Sequence, residues 1–216
     1  MATFFWQRVE KIYSDITGII LAGGENRRMK LNKSLLEINS VTLIERTRNL
    51  LQNIFDKVII SSKDIEEYSF LNLNVVKDVY EGFGPLSGIH AALNVSSTEL
   101  NFFISCDLPL MSEEMIRYII GSHFSEMILV PSAGGKIQHT CGVYKKELIP
   151  IINSIHLQAG NRKNEKGKYD SSIRKLILEA GAKIIEVDSL PFYNDDLFFN
   201  MNTKADFEYL RNKFQV

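Results

Sequence analysis

Residues 16–24 read Ile16-Thr17-Gly18-Ile19-Ile20-Leu21-Ala22-Gly23-Gly24, a short apolar run that ends in two glycines. The run is rich in β-branched residues and too short for a typical helix, so it predicts a buried strand over Ile16–Ala22. Successive glycines let the main chain approach a ligand closely and point its N–H groups at an anion. In an open parallel sheet, ligands bind beyond the carboxyl ends of the strands. This stretch therefore predicts the first strand of an α/β sheet, followed by a loop suited to an anionic ligand.

Similar apolar runs recur along the chain and alternate with segments of helical periodicity. The other predicted strands are Lys57–Ser61, Val75–Lys77, Phe102–Ser105, Met127–Pro131, Gly142–Lys145 and Ile184–Val187. Helices are predicted around Leu43–Ile54 and within Ser87–Leu93, Glu113–Ile120, Lys146–Ile155, Ser171–Ala180 and Ala205–Phe214. This alternation predicts an α/β fold of three layers, a Rossmann-like, mostly parallel sheet with helices on both faces.

The length of 216 residues and the hydrophobic content of 45% predict a single domain, which we place at residues 16–216. Before it, residues 1–15 carry apolar side chains spaced like one helix face: Phe5, Val9, Ile12 and Tyr13. We expect these residues to form an N-terminal helical extension that docks on the domain.

Charge and cysteine content argue against several classes of protein. With 25 basic and 26 acidic residues, the chain has no overall field for binding nucleic acid. No apolar stretch is long enough to span a membrane. The two cysteines, Cys106 and Cys141, are far apart and signal neither a disulfide framework nor a zinc site. These features favour a cytoplasmic protein that acts on a small charged substrate.

Basic residues follow the glycine turn within the next nine positions, and they strengthen its interpretation as a phosphate site. Arg27, Arg28 and Lys33 could neutralise a triphosphate and the charge that develops when pyrophosphate leaves. The spacing matches neither GxGxxG nor GxxxxGK[ST], so the dinucleotide and P-loop motifs do not apply.

Acidic and amide side chains are predicted at the same edge of the sheet. Asp107 follows a buried strand and is placed to bind Mg²⁺ that bridges phosphate oxygens. Asp78 ends another strand, and the loop Gly84–Gly88 after it could receive a base or a ribose. Asn200 and Asn202 share one face of an extended segment, where their amides could hold a metal-bound water or a phosphate, and Asn202 or Thr203 could cap the last helix. We interpret His139-Thr140-Cys141 as core packing.

Three of these motifs together resemble those of the molybdenum cofactor guanylyltransferases, a MobA-like nucleotidyltransferase family. They are Leu21-Ala22-Gly23-Gly24-x-x-x-Arg28-Met29 with a nearby lysine, Gly84-Pro85-Leu86-Ser87-Gly88, and Asn200-Met201-Asn202-Thr203. The resemblance runs from Thr17 to about Leu210 and implies a nucleotide-diphospho-sugar transferase-like fold. It implies transfer of GMP from GTP to Mo-molybdopterin, which forms molybdopterin guanine dinucleotide and pyrophosphate. Molybdoenzymes or other cofactor-biosynthesis proteins would be further partners.

The resemblance also implies roles for individual residues. Lys33, Arg28 and Asp107 would be catalytic, and Asp107 would bind Mg²⁺ as well as the nucleotide. Ser61 stands where the family often has an asparagine that contacts the base. The nucleotide would be held by Leu21, Ala22, Gly23, Gly24, Lys33, Ser61, Asp78, Gly84, Pro85 and Asp107. The molybdopterin substrate would lie against Arg162, Asn200 and Asn202.

Three departures from the family pattern leave alternatives open. Lys30 and Asn32 stand where the family usually has glycine and aspartate, and Lys163–Tyr169 is an apparent insertion. One alternative is a molybdopterin cytidylyltransferase, although that class typically reads Leu-Ala-Ala-Gly at the first loop. Another is a sugar-phosphate or isoprenoid-precursor nucleotidyltransferase, and a third is a nucleotide-binding regulator without turnover.

Overall fold

A mixed sheet forms the centre of the protein in the computed structural model, which describes residues 12–23, 32–80, 82–160 and 172–214. The strands in these ranges are β1 (Tyr13–Leu21), β2 (Glu37–Ile38), β3 (Val41–Thr42), β4 (Phe55–Ser62), β5 (Asn74–Lys77), β6 (Leu100–Ser105), β7 (Ile128–Ala133), β8 (Lys136–Ile137), β9 (Cys141–Lys145) and β10 (Lys183–Glu186). The main sheet has the order β10-β7-β9-β6-β1-β4-β5, with β8 paired to β7, and β2 and β3 form a separate hairpin. β1 therefore lies inside the sheet, between β6 and β4.

The described ranges contain six helices: α1 (Leu43–Gln52), α2 (Pro85–Val95), α3 (Glu113–Gly121), α4 (Ile149–Ala159), α5 (Ile173–Ala180) and α6 (Lys204–Lys213). The first five cover the two faces of this sheet, whereas Leu210 of α6 packs in a separate cluster with Ile38 of β2 and Leu43 of α1. α1 and α3 share one hydrophobic core with Ile20 of β1. α2, α4 and α5 share another with Ile19 and Leu21. Because successive strand residues point to opposite faces, one apolar strand can supply both cores. The predicted three-layer α/β fold is confirmed.

Pairing directions agree with a mostly parallel sheet, with β9 and the short β8 as antiparallel members. β1 runs parallel to β4 and β6, β4 to β5, and β7 to β10. β9 runs antiparallel to both β6 and β7, and it fills the space between them. Its direction was not predicted, since a fully buried strand has the same apolar pattern in either orientation.

The first strand begins earlier than predicted. Tyr13–Asp15 belong to β1, with Tyr13 opposite Phe55 of β4, so a helix that reaches residue 15 is wrong for these three residues. Strand pairing with β4 explains the difference, because it satisfies backbone groups that local periodicity does not consider. The rest of the predicted extension, residues 1–11, lies outside the described residues.

Other boundaries shift by a few residues. Lys146–Leu148 form a 3-10 turn before α4, where we predicted helix, and α2 begins at Pro85, two residues before its predicted start. The hairpin β2–β3 and strand β8 were not predicted, because two-residue strands carry too little periodicity. None of the helices in the described ranges is long and apolar enough to cross a membrane.

A glycine in β9 permits close packing between β9 and β7. A Cβ atom at Gly142 would overlap the main-chain oxygen of Leu129 and lie 2.8 Å from Cγ1 of Val130. The backbone of a neighbouring strand cannot move aside without breaking its own hydrogen bonds. Gly142 is thus required by the approach of the two strands.

We expect Gly142→Ala to destabilise the protein by about 1–3 kcal/mol, because it overpacks the sheet. Urea denaturation measures the free energy of unfolding. Gly121→Ala is the matched control, since a Cβ there meets nothing within 4 Å at the end of α3. Equal stability of the two variants would contradict this account of β9.

Candidate functional site

Three neighbouring strands end at the same level. Leu21 of β1 is opposite Ser61 of β4 and Ser105 of β6. Beyond this row, the N–H of Ala22 donates to the carbonyl oxygen of Ser61 at 2.9 Å, and the N–H of Cys106 donates to that of Leu21 at 3.2 Å. The loops that follow β1 and β6 therefore begin side by side.

A cavity of about 350 Å³ opens between these loops. It is lined by Leu21, Ala22, Gly23, Asn32, Lys33, Ser34, Pro85, Ser105, Cys106, Asp107, Thr140, Asn200 and Asn202. Many of these residues were predicted as site residues from separate parts of the chain. Their presence around one cavity shows that the fold brings the separate motifs together.

Lys33 extends to the C-terminal segment. Its Nζ donates to Oδ1 of Asn202 at 3.0 Å and to the main-chain oxygen of Met201 at 3.4 Å. The N–H of Met201 in turn donates to the main-chain oxygen of Asp107 at 2.9 Å. The lysine, the acidic loop after β6 and the asparagine segment thus form one wall of the cavity.

Asn202 does not cap α6, because other residues fill that role. Thr203 is the N-cap, its hydroxyl accepts from the N–H of Asp206, and Asp206 completes a capping box. Since the cap needs no further acceptor, the side-chain oxygen of Asn202 is available to Lys33. Lys33 is therefore held by the amide of Asn202. Because this amide carries no charge, it does not neutralise the positive charge of the lysine.

Asp107 has a side-chain oxygen, Oδ1, that is buried without a hydrogen-bond partner among the described residues. Burial raises the pKa of the Asp107 carboxyl, while the Ser105 side chain and the charge of Lys33 act in the opposite direction. A buried oxygen without a donor is destabilising unless a ligand supplies one. The arrangement suits a cation or a donor group brought by a ligand.

Ser61 and Asp78 form a pair beside the cavity, and neither side chain lines it. The hydroxyl of Ser61 is 1% exposed and donates to Oδ1 of Asp78 at 2.7 Å. Burial raises the pKa of Asp78, and the bond from Ser61 opposes the rise. A Cβ at Gly23 would lie 3.2 Å from Oδ2 of Asp78, and one at Gly88 would lie 2.7 Å from Oγ of Ser61. The base contact of Ser61 stays a prediction, since its hydroxyl is directed at Asp78.

The loop before α2 contributes mainly through its backbone. Gly84 has a φ of 64° and occupies the N-cap of α2, while Pro85 is the first helical residue and lines the cavity. A positive φ is readily adopted by glycine, and proline is well suited to the first position of a helix. Gly84 itself is not among the residues that line the cavity.

Sequence reasoning missed several lining residues. Asn32 was noted only as a departure from the family pattern, Ser34 and Ser105 carried no motif, and Thr140 was interpreted as core packing. Small polar residues beside strands have no distinctive spacing, so only the folded chain identifies them. Gly24, Arg28 and Arg162, which were predicted as site residues, lie outside the described residues.

Comparison with known proteins decides the family. The model of the family described as "MobA-like NTP transferase domain" matches residues 18–171. The chain belongs to this family. The predicted resemblance is confirmed, and the match includes the glycine turn, Lys33 and Asp107.

Individual relatives of this MobA-like domain extend the comparison to nearly the whole chain. A protein from Carboxydothermus hydrogenoformans, named "Probable molybdenum cofactor guanylyltransferase", is 33% identical over 204 residues, which cover 94% of this chain and 98% of that protein. A crystal structure from Aquifex aeolicus superposes with a TM-score of 0.72 at 32% identity, covering 93% of this chain and all of that chain.

A more distant structure has a similar fold. Molybdopterin-guanine dinucleotide biosynthesis protein A from Archaeoglobus fulgidus has a TM-score of 0.75 at 19% identity, covering 92% of this chain and 98% of that chain. At this low identity the likeness concerns the fold alone. The fold of this chain is thus shared with a protein of very different sequence.

The burial of Asp107 leads to a test by protein stability. Since the folded-state pKa is raised, the carboxylate opposes folding above that pKa, and this effect vanishes below the unfolded value of about 4. Asp107→Asn should therefore unfold at higher urea concentration than the wild type at pH 8, with the gain shrinking as the pH approaches 4.

The exposed Asp56 on β4 provides the control, and Asp56→Asn should change the free energy of unfolding at pH 8 by no more than about 0.5 kcal/mol, as is usual for a surface substitution. A stability gain of Asp107→Asn that stays constant from pH 8 to pH 4 would exclude burial of the charge as its cause.

Proposed function

We propose that this chain transfers GMP from GTP to Mo-molybdopterin and forms molybdopterin guanine dinucleotide and pyrophosphate. The observation that carries the proposal is the cavity at the carboxyl edge of the sheet, where Gly23, Lys33 and Asp107 line one space. Membership of the MobA-like family and the name of the 33% identical relative support the choice of reaction. We propose the cytoplasm as its location because both cysteines carry free thiols.

The cavity offers the parts that a triphosphate needs. The main chain of Ala22 and Gly23 leaves β1 beside the space, and Lys33 reaches it with a charge that no carboxylate within salt-bridge distance neutralises among the described residues. A phosphate could replace the amide oxygen of Asn202 as the partner of Nζ, because a charged acceptor binds an ammonium group more strongly than a neutral one. Lys33 would then stabilise the charge on the departing pyrophosphate.

The reaction requires no nucleophile from the protein. An oxygen of the terminal phosphate of Mo-molybdopterin forms a bond to the α-phosphorus of GTP, and the bond from that phosphorus to the pyrophosphate oxygen breaks. The protein aligns the two substrates and neutralises charge, which are the main sources of catalysis in phosphoryl transfer. We place the acceptor phosphate near Asn200 and Asn202, on the wall formed by the C-terminal segment.

Asp107 fits Mg²⁺, the cofactor that we propose. Mg²⁺ in nucleotide sites is commonly held by one or two carboxylates together with phosphate oxygens and water. Oδ1 of Asp107 is buried without a partner, so it is available for such a ligand. In the described part of the chain, no group of three or more His, Cys, Asp or Glu side chains could hold a metal by itself, so phosphate oxygens would complete the shell. The ion would supply charge stabilisation to the phosphates.

The deciding experiment uses GTP and CTP labelled at the α-phosphate, each with Mg²⁺ and Mo-molybdopterin. We expect label on the pterin from GTP alone. Label from CTP alone would assign the chain to the cytidylyltransferases. Label from neither nucleotide would refute the proposed reaction and favour a regulator.

Asp107→Ala should reduce Mg²⁺-dependent transfer by at least about 10³-fold, because it removes the proposed protein ligand of the metal. Initial rates over a range of Mg²⁺ concentrations measure the effect. Asp56→Ala, which removes an exposed carboxylate from β4, is the control and should keep the wild-type rate. Near-normal transfer by a folded Asp107→Ala protein would eliminate the metal assignment.

A further inference from the structure

Three side chains form a closed ring of hydrogen bonds beside the cavity. The main-chain N–H of Ser34 and its hydroxyl both donate to Oδ1 of Asn32, at 3.0 and 2.8 Å. These donors require an oxygen at that position, so Nδ2 of Asn32 faces Tyr68 and donates to its hydroxyl at 2.8 Å. The hydroxyls of Ser34 and Tyr68 are also 2.8 Å apart. Each of the three side chains therefore contacts the other two.

Counting hydrogens gives the ring a direction. A hydroxyl has a single hydrogen, and that of Ser34 is used in its bond to Asn32. The hydrogen between Tyr68 and Ser34 must then come from Tyr68. The ring runs from the Asn32 amide to Tyr68, from Tyr68 to Ser34, and from Ser34 back to Asn32. Bonds arranged in one direction polarise and strengthen one another.

Two of the three ring members are buried, and Asn32 is half-buried where it lines the cavity. Tyr68 is fully buried and Ser34 is 1% exposed. Burial raises the pKa of Tyr68 to about 12, so its hydroxyl keeps its proton at neutral pH. In a buried site, loss of one partner leaves the others unsatisfied, which costs more than the loss of an exposed hydrogen bond.

The hydrogen-bonded ring lies where three separate segments of the site meet. Asn32 and Ser34 flank Lys33 on both sides, and Tyr68 belongs to the 3-10 segment Glu66–Leu71. The Tyr68 hydroxyl also lies 3.4 Å from the main-chain oxygen of Ala22, just beyond the end of β1. With its one hydrogen donated to Ser34, the Tyr68 hydroxyl lies next to the Ala22 carbonyl without a hydrogen bond to it. The ring therefore holds the backbone on both sides of Lys33 and lies beside the end of β1.

We propose that Asn32, Ser34 and Tyr68 are positioning residues that hold Lys33, beside the end of β1, in the geometry needed for the triphosphate. The part that concerns the triphosphate rests on the proposed function. The ring also gives the asparagine at position 32 a physical role. A carboxylate can only accept hydrogen bonds, whereas the amide supplies the donor that leaves the Tyr68 hydrogen free for Ser34.

The first test measures the position of Lys33 without any substrate. A short pulse of an amine-acetylating reagent is followed by mass spectrometry, with Lys57 at the opposite edge of the sheet as the internal reference. Tyr68→Phe removes only the hydroxyl, and the aromatic side chain stays packed in the core. The substitution therefore opens the hydrogen-bonded ring without leaving a cavity. We expect acetylation of Lys33 to increase several-fold relative to Lys57, because its backbone is no longer fixed.

The second test measures kcat and KM for GTP. Tyr68→Phe should lower kcat/KM by about tenfold, the effect of one net buried hydrogen bond. Ser34→Ala should have a similar effect, and the double variant should lose little more than either single variant, because each substitution already opens the ring.

Thr17→Val is the matched control for both tests. It removes a buried hydroxyl from the middle of β1, where the side chains of Thr17 and Thr98 are hydrogen-bonded at 2.7 Å. We expect a loss of stability comparable to that of Tyr68→Phe, with unchanged Lys33 acetylation and unchanged kcat/KM. A purely structural role for Tyr68 would make the two variants alike in every measurement.

The outcomes separate this proposal from the proposed function. Unchanged acetylation of Lys33 in Tyr68→Phe overturns the ring as a positioning device, whether or not the wild type transfers GMP. Increased acetylation with unchanged kcat/KM overturns its role in turnover. If the wild type transfers neither nucleotide while the acetylation of Lys33 still increases, the proposed function fails and the positioning of Lys33 stands.

Discussion

The parallel pairing of β1 with β4 and β6 is the constraint on which the site depends. Leu21, Ser61 and Ser105 lie in one row, and each strand ends there or one residue later. A shift by one residue would turn every side chain of β1 to the opposite face, so burial on both faces enforces the alignment. Because the register is fixed, the glycine turn, Asp78 and Asp107 emerge at a common edge although they are distant in sequence.

Two carboxyl groups at this edge lower the stability of the free protein and suit the binding of a ligand. The carboxyls of Asp78 and Asp107 are both partly buried, and this burial raises the pKa of each. Asp78 receives a hydrogen bond from Ser61, whereas Oδ1 of Asp107 receives none within the described ranges. An oxygen left without a donor in the free protein is available to a ligand in the complex. This availability explains why unsatisfied, partly buried carboxyls are found at binding sites although they lower stability.

The C-terminal segment closes the site through neutral contacts. The N–H of Met201 attaches this segment to the main chain at Asp107, and the amide of Asn202 holds Lys33. On the other side of the lysine, Tyr68 is hydrogen-bonded to Asn32 and Ser34 and lies beside the end of β1. Lys33 is thus oriented by amides and hydroxyls, so that its positive charge remains available to an anionic substrate.

From the sequence alone we could predict the α/β class, most strands and helices, and many of the residues that line the cavity. These features depend on local periodicity and on residue types such as Gly23, Lys33 and Asp107, whose chemistry is readable one position at a time. The folded chain was needed to show that β9 is antiparallel, that Tyr13–Asp15 extend β1, and that Asn32 is hydrogen-bonded to the buried Tyr68. Those features arise from contacts between residues far apart in the chain, and the energy of such contacts has no signature in local sequence.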